Sequence, residues 1–276
     1  MKPFLKWAGG KAQHLEAIKE RMPKEIDTYY EPFVGAGAIF FGLASGNLFN
    51  NAVISDVNED LINTYKMIRD DTDKVIDELN SLKKKFVKSK DKKEFYYNVR
   101  DKYNQSEDKL ERVSLMIFLN KTCFNGIYRL TRDKKFNVPF NHVEKEPPID
   151  VENIYEVGKL LRRNGVKIVL GDYQKVLDGC KLLKNDFCYF DPPFEPVTPK
   201  AYTVYNPHPF TFDDQIALSN YVKKLKIKMI LSNSEHPDIE KLYADKCKIE
   251  KVSTLRAINS NASKRKGLNE LMILNY

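Results

Sequence analysis

The sequence has little of what metal sites, disulfide frameworks and membrane spans require. Its four cysteines contain no CxxC pair, and its four histidines show no ligand spacing near them. We therefore expect neither a metal site nor a disulfide framework. No run approaches the ~20 apolar residues of a membrane span, and the amino terminus, MKPFLKWAGGK, lacks the apolar block of a secretory signal. These absences favour a globular cytoplasmic protein, and its 276 residues, 42% of them hydrophobic, suffice for a full core.

Positive charge is concentrated in one part of the chain. Residues 81–135 contain 16 Lys and Arg against 7 Asp and Glu, an excess that is larger than the net charge of +8 of the whole chain. A solvated lysine face on helices is one explanation. The same stretch is also rich in aromatic residues, and the two together suit a polyanion. The aromatic residues are Phe95, Tyr96, Tyr97, Phe124 and Tyr128.

Hydrophobic periodicity in the first quarter of the chain predicts a βαβ unit. A strand at residues 28–33 breaks at Gly35 and Gly37, after which a helical pattern begins. A second strand at residues 52–56 ends in an acid, and Asn58 is a suitable N-cap for the helix that follows. Strand, glycine turn, helix and strand are the parts of a βαβ unit.

The pattern then changes to lysine-rich helical segments and later returns to strands. Helices are expected at 72–87, 92–103 and 108–121, a hairpin within 126–140, and strands at 167–170, 186–191, 227–232, 248–254 and 270–275. The sequence thus predicts an α/β catalytic domain over residues 1–56 and 145–276. A basic helical domain over residues 57–144, with a β-hairpin at about 123–140, would split it.

The segment EPFVGAGA, residues 31–38, places two glycines between a strand and a helix. Gly35 and Gly37 let the backbone approach a ligand closely, and the helix start supplies free N–H groups. No GK[ST] follows and Phe40 replaces the last glycine of a GxGxxG pattern, so this is not an NTPase phosphate loop. Asp56 lies about 20 residues downstream, where an acid commonly meets ribose hydroxyls. A nucleoside-bearing cofactor is therefore favoured over a purely structural turn.

The tetrapeptide DPPF, residues 191–194, follows a buried apolar strand. Pro192 and Pro193 each fix one φ angle and carry no N–H, so the carbonyls there are rigidly aimed. The Asp191 carboxylate beside such a carbonyl forms a pair of acceptors suited to an exocyclic NH₂ group. Phe194 adds a flat face on which a heteroaromatic ring can stack. A proline-stiffened loop after an edge strand is the structural alternative.

Read in order, FLKWAGGK, EPFVGAG, ISDVNEDLI and DPPF resemble the motifs of the Dam-type DNA adenine-N6 methyltransferases, and the resemblance runs over nearly the whole chain. The segment from Phe124 to Phe140 is similar to the DNA-recognition hairpin of that family. The resemblance implies a Rossmann-like class I methyltransferase sheet with a helical target-recognition domain inserted after the second strand. It also implies S-adenosylmethionine as cofactor and double-stranded DNA as partner.

Site residues carried over by matching position fall into three groups. The resemblance assigns the methyl donor to Trp7, Lys11, Phe33, Asp56 and Asp191, with the glycine turn at Gly35 and Gly37 beside it. It assigns catalysis to Asp191, Pro192, Pro193 and Phe194. It assigns DNA contact to Lys6, Phe124, Asn125, Ile127, Arg129 and Pro139, with Phe124 inserting into the base stack, Asn125 helping to extrude the base and Arg129 reading a guanine.

The chain departs from the family pattern at a few of these positions. Ile127 stands where members that recognise GATC carry Leu, whereas Arg129 and Pro139 match them, so the resemblance implies GATC or a related short site. Phe194 replaces the usual tyrosine, which keeps the stacking face and loses a hydroxyl. The residues before the inserting aromatic, 121–123, are Lys-Thr-Cys instead of Arg-Tyr-Gly.

Other functions use some of the same features. N4-cytosine transfer needs the same acceptor pair, and a DNA-binding regulator of this fold would have lost the chemistry. A nicotinamide-dependent oxidoreductase would explain the glycine turn and Asp56, yet it has no use for DPPF beside a basic insertion. A cognate restriction endonuclease would be a second partner, and the sequence leaves its existence open.

Overall fold

Seven strands form one mixed sheet in the order β3-β2-β1-β4-β5-β7-β6. The structure is a computed structural model, and it describes residues 1–7, 9–194, 210–254 and 268–276. Pairing is parallel from β3 to β5, while β7 runs antiparallel to both of its neighbours. The strands are β1 (Thr28–Glu31), β2 (Asn51–Asp56), β3 (Val166–Leu170), β4 (Phe187–Phe190), β5 (Lys228–Ser234), β6 (Lys248–Thr254) and β7 (Leu268–Leu274).

The parallel strands are buried on both faces, which is why they read as continuous apolar runs. In β4, Phe187 and Tyr189 point into one core, whereas Cys188 and Phe190 point into the other. All four side chains are fully buried. Burial on both faces confirms the strand predicted before DPPF and fixes its register in the middle of the sheet.

Helices cover both faces of the sheet. Asn58, Asp91, Asp108, Asp150 and Thr211 cap the amino termini of five of them by accepting a backbone N–H. None of the described helices is long and apolar enough to cross a bilayer. The helices are α1 (Leu15–Arg21), α2 (Ala38–Ser45), α3 (Glu59–Asp70), α4 (Thr72–Lys88), α5 (Lys92–Gln105), α6 (Lys109–Thr122), α7 (Val151–Leu161), α8 (Tyr173–Asp178), α9 (Phe212–Val222) and α10 (Pro237–Tyr243).

The helices predicted between the second and third strands are present as α4, α5 and α6. Helix α3, which lies before them, packs against β2 and β3 as well as against α6 and α7. Its buried side chains, among them Ile62 and Tyr65, belong to the same core cluster as those of α4 to α6. We therefore propose that the inserted unit begins after α3, near Asp71, instead of at residue 57, and that it shares its core with the sheet.

The segment after α6 turns back on itself, as expected for the hairpin, but it contains only two isolated antiparallel bridges. These pair Leu130 with Phe136 and Cys123 with Phe140. Backbone groups that would complete a ladder bond to side chains of α5 instead. Asn104 accepts from Phe136 N–H (2.7 Å) and donates to its carbonyl (3.0 Å). Three backbone hydrogen bonds also cross the arms, so the hairpin is held both by the helix behind it and by its own two arms.

Candidate active site

Three acids stand at the carboxyl ends of the central strands. Glu31 is the last residue of β1, Asp56 is the last of β2, and Asp191 follows β4 directly. The strand order reverses between β1 and β4, and open α/β sheets bind their ligands at such a switch point. The topology therefore brings the predicted cofactor turn and the DPPF loop to one crevice.

The turn after β1 has the conformation that its glycines predict. Gly35 and Gly37 both have positive φ angles, 49° and 74°. A Cβ on Gly37 would lie 2.7 Å from the Tyr65 hydroxyl oxygen, and one on Gly35 would lie 3.1 Å from Trp7 Cδ1. The Tyr65 hydroxyl donates to the Gly35 carbonyl (3.0 Å). The Tyr65 and Trp7 side chains thus leave little room for a Cβ at these two positions, and the positive φ angles also favour glycine.

Asp56 is held in place by the backbone around it. Its Oδ2 accepts from Gly35 N–H (3.1 Å) and its Oδ1 from Asn58 N–H (2.9 Å). Burial raises the pKa of Asp56, and these backbone hydrogen bonds oppose the rise. The carboxylate therefore joins the glycine turn to the start of α3 and offers its remaining lone pairs to a ligand.

The two aromatic residues predicted at the cofactor contact different parts of the protein. The Trp7 ring stacks on Tyr128, with 5.4 Å between ring centroids and 22° between planes. The Phe33 ring contacts Tyr173 at 5.5 Å and Phe210 at 6.0 Å, near α8 and α9. Trp7 is therefore tied to the hairpin, a connection that the sequence did not suggest.

A buried lysine contacts Asp191, the acid that follows β4. Lys11 is 5% exposed, and its Nζ lies 3.2 Å from Asp191 Oδ1, 3.7 Å from Glu270 Oε2 and 4.1 Å from the centroid of the Phe194 ring. Burial raises the pKa of Asp191 to about 6, Lys11 lowers it and Glu270 raises it. His14 also contacts Glu270, at 3.3 Å. Lys11 thus forms one cluster with Asp191, the Phe194 ring and Glu270 of β7.

A chain of buried amides anchors the DPPF loop from below. Gln215 on α9 donates from Nε2 to the Pro193 carbonyl (2.8 Å), and its Oε1 accepts from Asn233 Nδ2 (3.0 Å). Asn233 Oδ1 in turn accepts from the Ser234 N–H (2.8 Å). The Pro192 carbonyl accepts no hydrogen bond from the described part of the chain. The Pro193 carbonyl is therefore anchored, whereas the Pro192 carbonyl remains available beside the Asp191 carboxylate.

The acid at the end of β1 differs from the other two in its protonation. Glu31 is 2% exposed and accepts the Tyr29 hydroxyl at 2.6 Å. Burial raises the pKa of Glu31 to about 8, which the Tyr29 hydrogen bond only partly offsets. Glu31 is therefore mostly neutral at pH 7 and adds little negative charge beside Asp191.

The residues predicted to touch DNA form an exposed group. Phe124, Asn125, Arg129, Pro139 and Lys6 are exposed, and Ile127 is partly exposed. Phe124 keeps 48% of its surface accessible, which is unusual for a phenylalanine. Asn125 has a positive φ of 54°, so the chain turns sharply just after Phe124. This surface is compatible with an aromatic side chain that enters a base stack.

Asn120, on α6, links the amino-terminal segment to the hairpin. It is 1% exposed, accepts from Lys6 N–H (2.8 Å), and donates to the carbonyls of Lys6 (2.8 Å) and Gly126 (3.1 Å). Sequence reasoning missed this role, because a single asparagine inside a helix carries no motif. The same holds for Gln215 and Asn233.

The sheet order, the glycine turn after β1 and the acids after β2 and β4 define a class I methyltransferase. The residues fit S-adenosylmethionine, because Asp56 has lone pairs suited to ribose hydroxyls and the glycine turn brings its backbone close to the Trp7 ring. Among the described residues, no group of three or more His, Cys, Asp and Glu side chains is arranged to bind a metal ion.

Comparison with known proteins establishes the family. The chain belongs to the D12 class N6 adenine-specific DNA methyltransferases, whose family model matches residues 7–258. It is 43% identical to the Type II methyltransferase M.MjaIII of Methanocaldococcus jannaschii, covering 100% of this chain and 99% of that protein. It is 34% identical to the Type II methyltransferase M1.LlaDCHI of Lactococcus lactis subsp. cremoris, covering 100% and 96%. It is 31% identical to the DNA adenine methylase of Escherichia coli K12, covering 98% and 94%.

The protein is therefore an adenine-specific DNA methyltransferase that uses S-adenosylmethionine. Two further features of the chain agree with this class, the charged site at the switch point and the concentration of basic residues in 81–135. The catalytic, cofactor and DNA roles of individual residues are predictions that the geometry makes specific.

The pH dependence of methyl transfer should report the ion pair between Lys11 and Asp191. The ionised form of Asp191 is the one that would stabilise positive charge on N6, so the rate is expected to fall about tenfold per pH unit as pH drops below about 6. Lys11→Gln removes the cation that lowers this pKa, so the acid limb should move to higher pH. Single-turnover methylation measured between about pH 5 and 8 checks this, with the exposed Lys159→Gln as control. An acid limb that stays in place in Lys11→Gln would contradict the assignment.

Proposed function

We propose that the enzyme extrudes an adenine from a short duplex site, GATC or a closely related sequence, and holds its N6 amino group between the Asp191 carboxylate and the Pro192 carbonyl. The observation that carries this proposal is the fixed pair of acceptors, with Asp191 held by Lys11 and the loop held by Gln215. Two acceptors match the two protons of the exocyclic amine. Their engagement leaves the nitrogen lone pair facing out of the base plane.

Chemistry at the bound base then depends on charge and position. S-adenosylmethionine supplies an activated methyl group when bound. The Asp191 carboxylate stabilises the positive charge that develops on N6 and can take the proton that this nitrogen sheds. The Lys11 ammonium lies over one face of the Phe194 ring, so the flipped adenine would stack on the opposite face.

Base extrusion is assigned to the exposed residues at the base of the hairpin, directly after α6. Phe124, 48% exposed, would fill the gap in the base stack, and Asn125 lies at the sharp turn beside it. Lys6 lies against this turn, because a Cβ on Gly126 would come within 2.4 Å of Lys6 Cβ. A basic residue from the amino terminus and an aromatic residue from the hairpin thus face DNA together.

Two measurements on one sample test the proposal. Plasmid DNA is methylated by the purified enzyme and digested to nucleosides, and the modified base is identified by mass spectrometry. Single-molecule sequencing of the same DNA gives the site. N6-methyladenine in GATC or a one-base variant is expected. N4-methylcytosine would refute the base assignment, an unrelated site would refute the recognition assignment, and no methylation would indicate a DNA-binding regulator.

Recognition of guanine should depend on Arg129 and on the residue that orients it. The Arg129 Nε donates to Asn137 Oδ1 (2.8 Å), and its terminal nitrogens bond to nothing else in the described ranges. Because bidentate contact to guanine contributes ~1–3 kcal/mol of discrimination, Arg129→Ala should lower discrimination at one base pair by about 10-fold to 100-fold. Asn137→Ala should give a smaller loss. Methylation rates on duplexes that differ at single base pairs measure both.

Arg132→Ala is the matched control for this experiment, because Arg132 is an exposed arginine of the same hairpin. It should weaken binding to all duplexes evenly, as loss of a nonspecific charge does. Equal loss of discrimination in Arg132→Ala and Arg129→Ala would argue against a reading role for Arg129.

The cellular setting follows from the substrate. We propose that the enzyme acts in the cytoplasm and associates with the nucleoid through duplex DNA. Two relatives are named Type II methyltransferases, which supports a search for a cognate restriction endonuclease. Extracts of the source cells that cut unmethylated plasmid, but not plasmid methylated by this enzyme, would identify one.

A further inference from the structure

Tyr128 occupies an unusual position between the two binding sites. It follows Ile127 and precedes Arg129, the residues assigned above to base contact, yet its own side chain points inward and is 2% exposed. Its ring stacks on Trp7, and its hydroxyl donates to Asp60 Oδ2 (2.5 Å). One side chain of the hairpin thus reaches two elements of the cofactor site.

The first path from Tyr128 leads through Trp7. The two rings lie 5.4 Å apart at an angle of 22°, which is a stacked arrangement. Trp7 also meets the glycine turn, since a Cβ on Gly35 would lie 3.1 Å from Trp7 Cδ1. A shift of the hairpin therefore changes the position of Trp7 beside the turn.

The second path leads through Asp60 to Asp56. Asp60 lies in the first turn of α3, and Asp56 contacts the N-cap of the same helix through the Asn58 N–H (2.9 Å). Asp60 is fixed by Arg112 of α6, which donates to both of its oxygens (2.9 and 3.1 Å), and by the Tyr103 hydroxyl of α5 (2.8 Å). The Tyr128 hydroxyl therefore meets a firmly held acceptor that lies only four residues after Asp56 in the chain.

The ionisation of Asp60 supports this anchoring. Burial alone would raise its pKa, but hydrogen bonds from Arg112, Tyr128 and Tyr103 and the charge of Arg112 hold the pKa below its ordinary value. Asp60 is therefore a charged acceptor at neutral pH, and hydrogen bonds to charged acceptors are stronger than those between neutral groups.

We propose that Tyr128 couples the two ligands, so that DNA on the hairpin and the methyl donor at Trp7 and Asp56 bind with positive cooperativity. Binding of either ligand fixes the Tyr128 contacts, and the second ligand then has less conformational freedom to remove. The inference rests on the roles proposed for Trp7, Asp56, Ile127 and Arg129. Tyr128 acts here as a positioning residue and touches neither ligand.

The test uses S-adenosylhomocysteine, the demethylated product, and a short duplex that carries the site found by sequencing. Calorimetry gives the dissociation constant of S-adenosylhomocysteine with and without saturating duplex. We expect the duplex to tighten binding by about fivefold or more, and S-adenosylhomocysteine to tighten duplex binding by the same factor. Trp7 is the only tryptophan of the chain, so its fluorescence reports on the stacked pair during both titrations.

Three variants separate the contacts. Tyr128→Leu removes both the ring and the hydroxyl, and its coupling ratio should fall to about one. Tyr128→Phe keeps the buried ring and loses only the bond to Asp60, so its ratio should be intermediate. Tyr103→Phe deletes a hydroxyl on the same acceptor without touching Trp7, and it should keep the ratio of the parent.

The outcomes are distinguishable from a failure of the site assignment. Coupling in Tyr128→Leu equal to that of the parent would overturn the inference, as would absence of coupling in the parent when both ligands bind. If Tyr128→Leu does not fold, Tyr128→Phe provides the test. A coupling ratio in Tyr128→Phe equal to that of the parent would show that the hydrogen bond from Tyr128 to Asp60 does not couple the two ligands. If calorimetry shows that S-adenosylhomocysteine binds but Trp7 fluorescence does not change, Trp7 does not contact the cofactor. That result would overturn the inference as well.

Discussion

Asp191→Asn should abolish methyl transfer and leave the protein at least as stable at pH 7 as its parent. Asparagine has nearly the same shape, but its NH₂ group would face the N6 protons and it carries no charge to stabilise the methylated nitrogen. Loss of one aimed electrostatic partner typically costs 10²–10³-fold in rate, and Asp191→Ala should lose at least as much. Labelled-methyl incorporation into duplex DNA measures the loss.

The stability expectation follows from the pKa of Asp191. Burial raises this pKa from 3.8 in the unfolded chain to about 6 in the folded protein, so above pH 6 the ionised carboxylate is less stable in the fold than outside it. Each pKa unit corresponds to ~1.4 kcal/mol, and the cost at pH 7 is thus about 3 kcal/mol. It disappears below about pH 4, where the group is protonated in both states. Asparagine removes the cost, although Lys11 then loses a partner.

Unfolding by urea at pH 7 and at about pH 4 separates these contributions, since any gain from Asp191→Asn should be present at pH 7 and absent at pH 4. Asp213→Asn, an exposed acid in the first turn of α9, is the matched control and should change neither rate nor stability. Duplex binding should persist in Asp191→Asn. Substantial methylation by that variant would falsify the acceptor role.

The sequence predicted those parts of the site whose chemistry is local. The glycine turn, Asp56 at the end of β2 and Asp191 after β4 are readable because turn conformation and strand ends are set by neighbouring residues. The partners of these groups come from elsewhere in the chain. Glu270 of β7 approaches Lys11, and Gln215 of α9 approaches the DPPF loop, only because the sheet brings them together.

The hairpin shows why a correct local pattern can give an incomplete picture. Alternating residues there predict paired arms, but the described structure has two isolated bridges. Tyr96 donates its hydroxyl to the Val138 carbonyl (2.8 Å) and Asn104 takes both backbone groups of Phe136. Side chains of α5 thus compete for backbone groups that would otherwise pair across the hairpin. Because α5 is distant in the sequence, the residues of the hairpin alone could not predict this competition.

Asn120→Ala should have the opposite signature to Asp191→Asn, because it damages the fold and base extrusion together. The truncation leaves the Lys6 N–H and the carbonyls of Lys6 and Gly126 without their partner in a buried place. Each such group costs ~1–3 kcal/mol, and partial relaxation suggests a total of about 3 kcal/mol. For a chain of this size the Tm should fall by roughly 6–10 °C.

Function should fall further than stability in Asn120→Ala, because Lys6 and the Phe124 turn would no longer be held against each other. A duplex with 2-aminopurine in place of the target adenine reports extrusion by its fluorescence. That signal should be largely lost in Asn120→Ala, even at temperatures where the variant is folded, and retained in Asp191→Asn. Ser114→Ala is the control, since Ser114 is equally buried on α6 but bonds only to Leu110 of its own helix. A normal extrusion signal in folded Asn120→Ala would show that the contact between Lys6 and Gly126 serves stability alone.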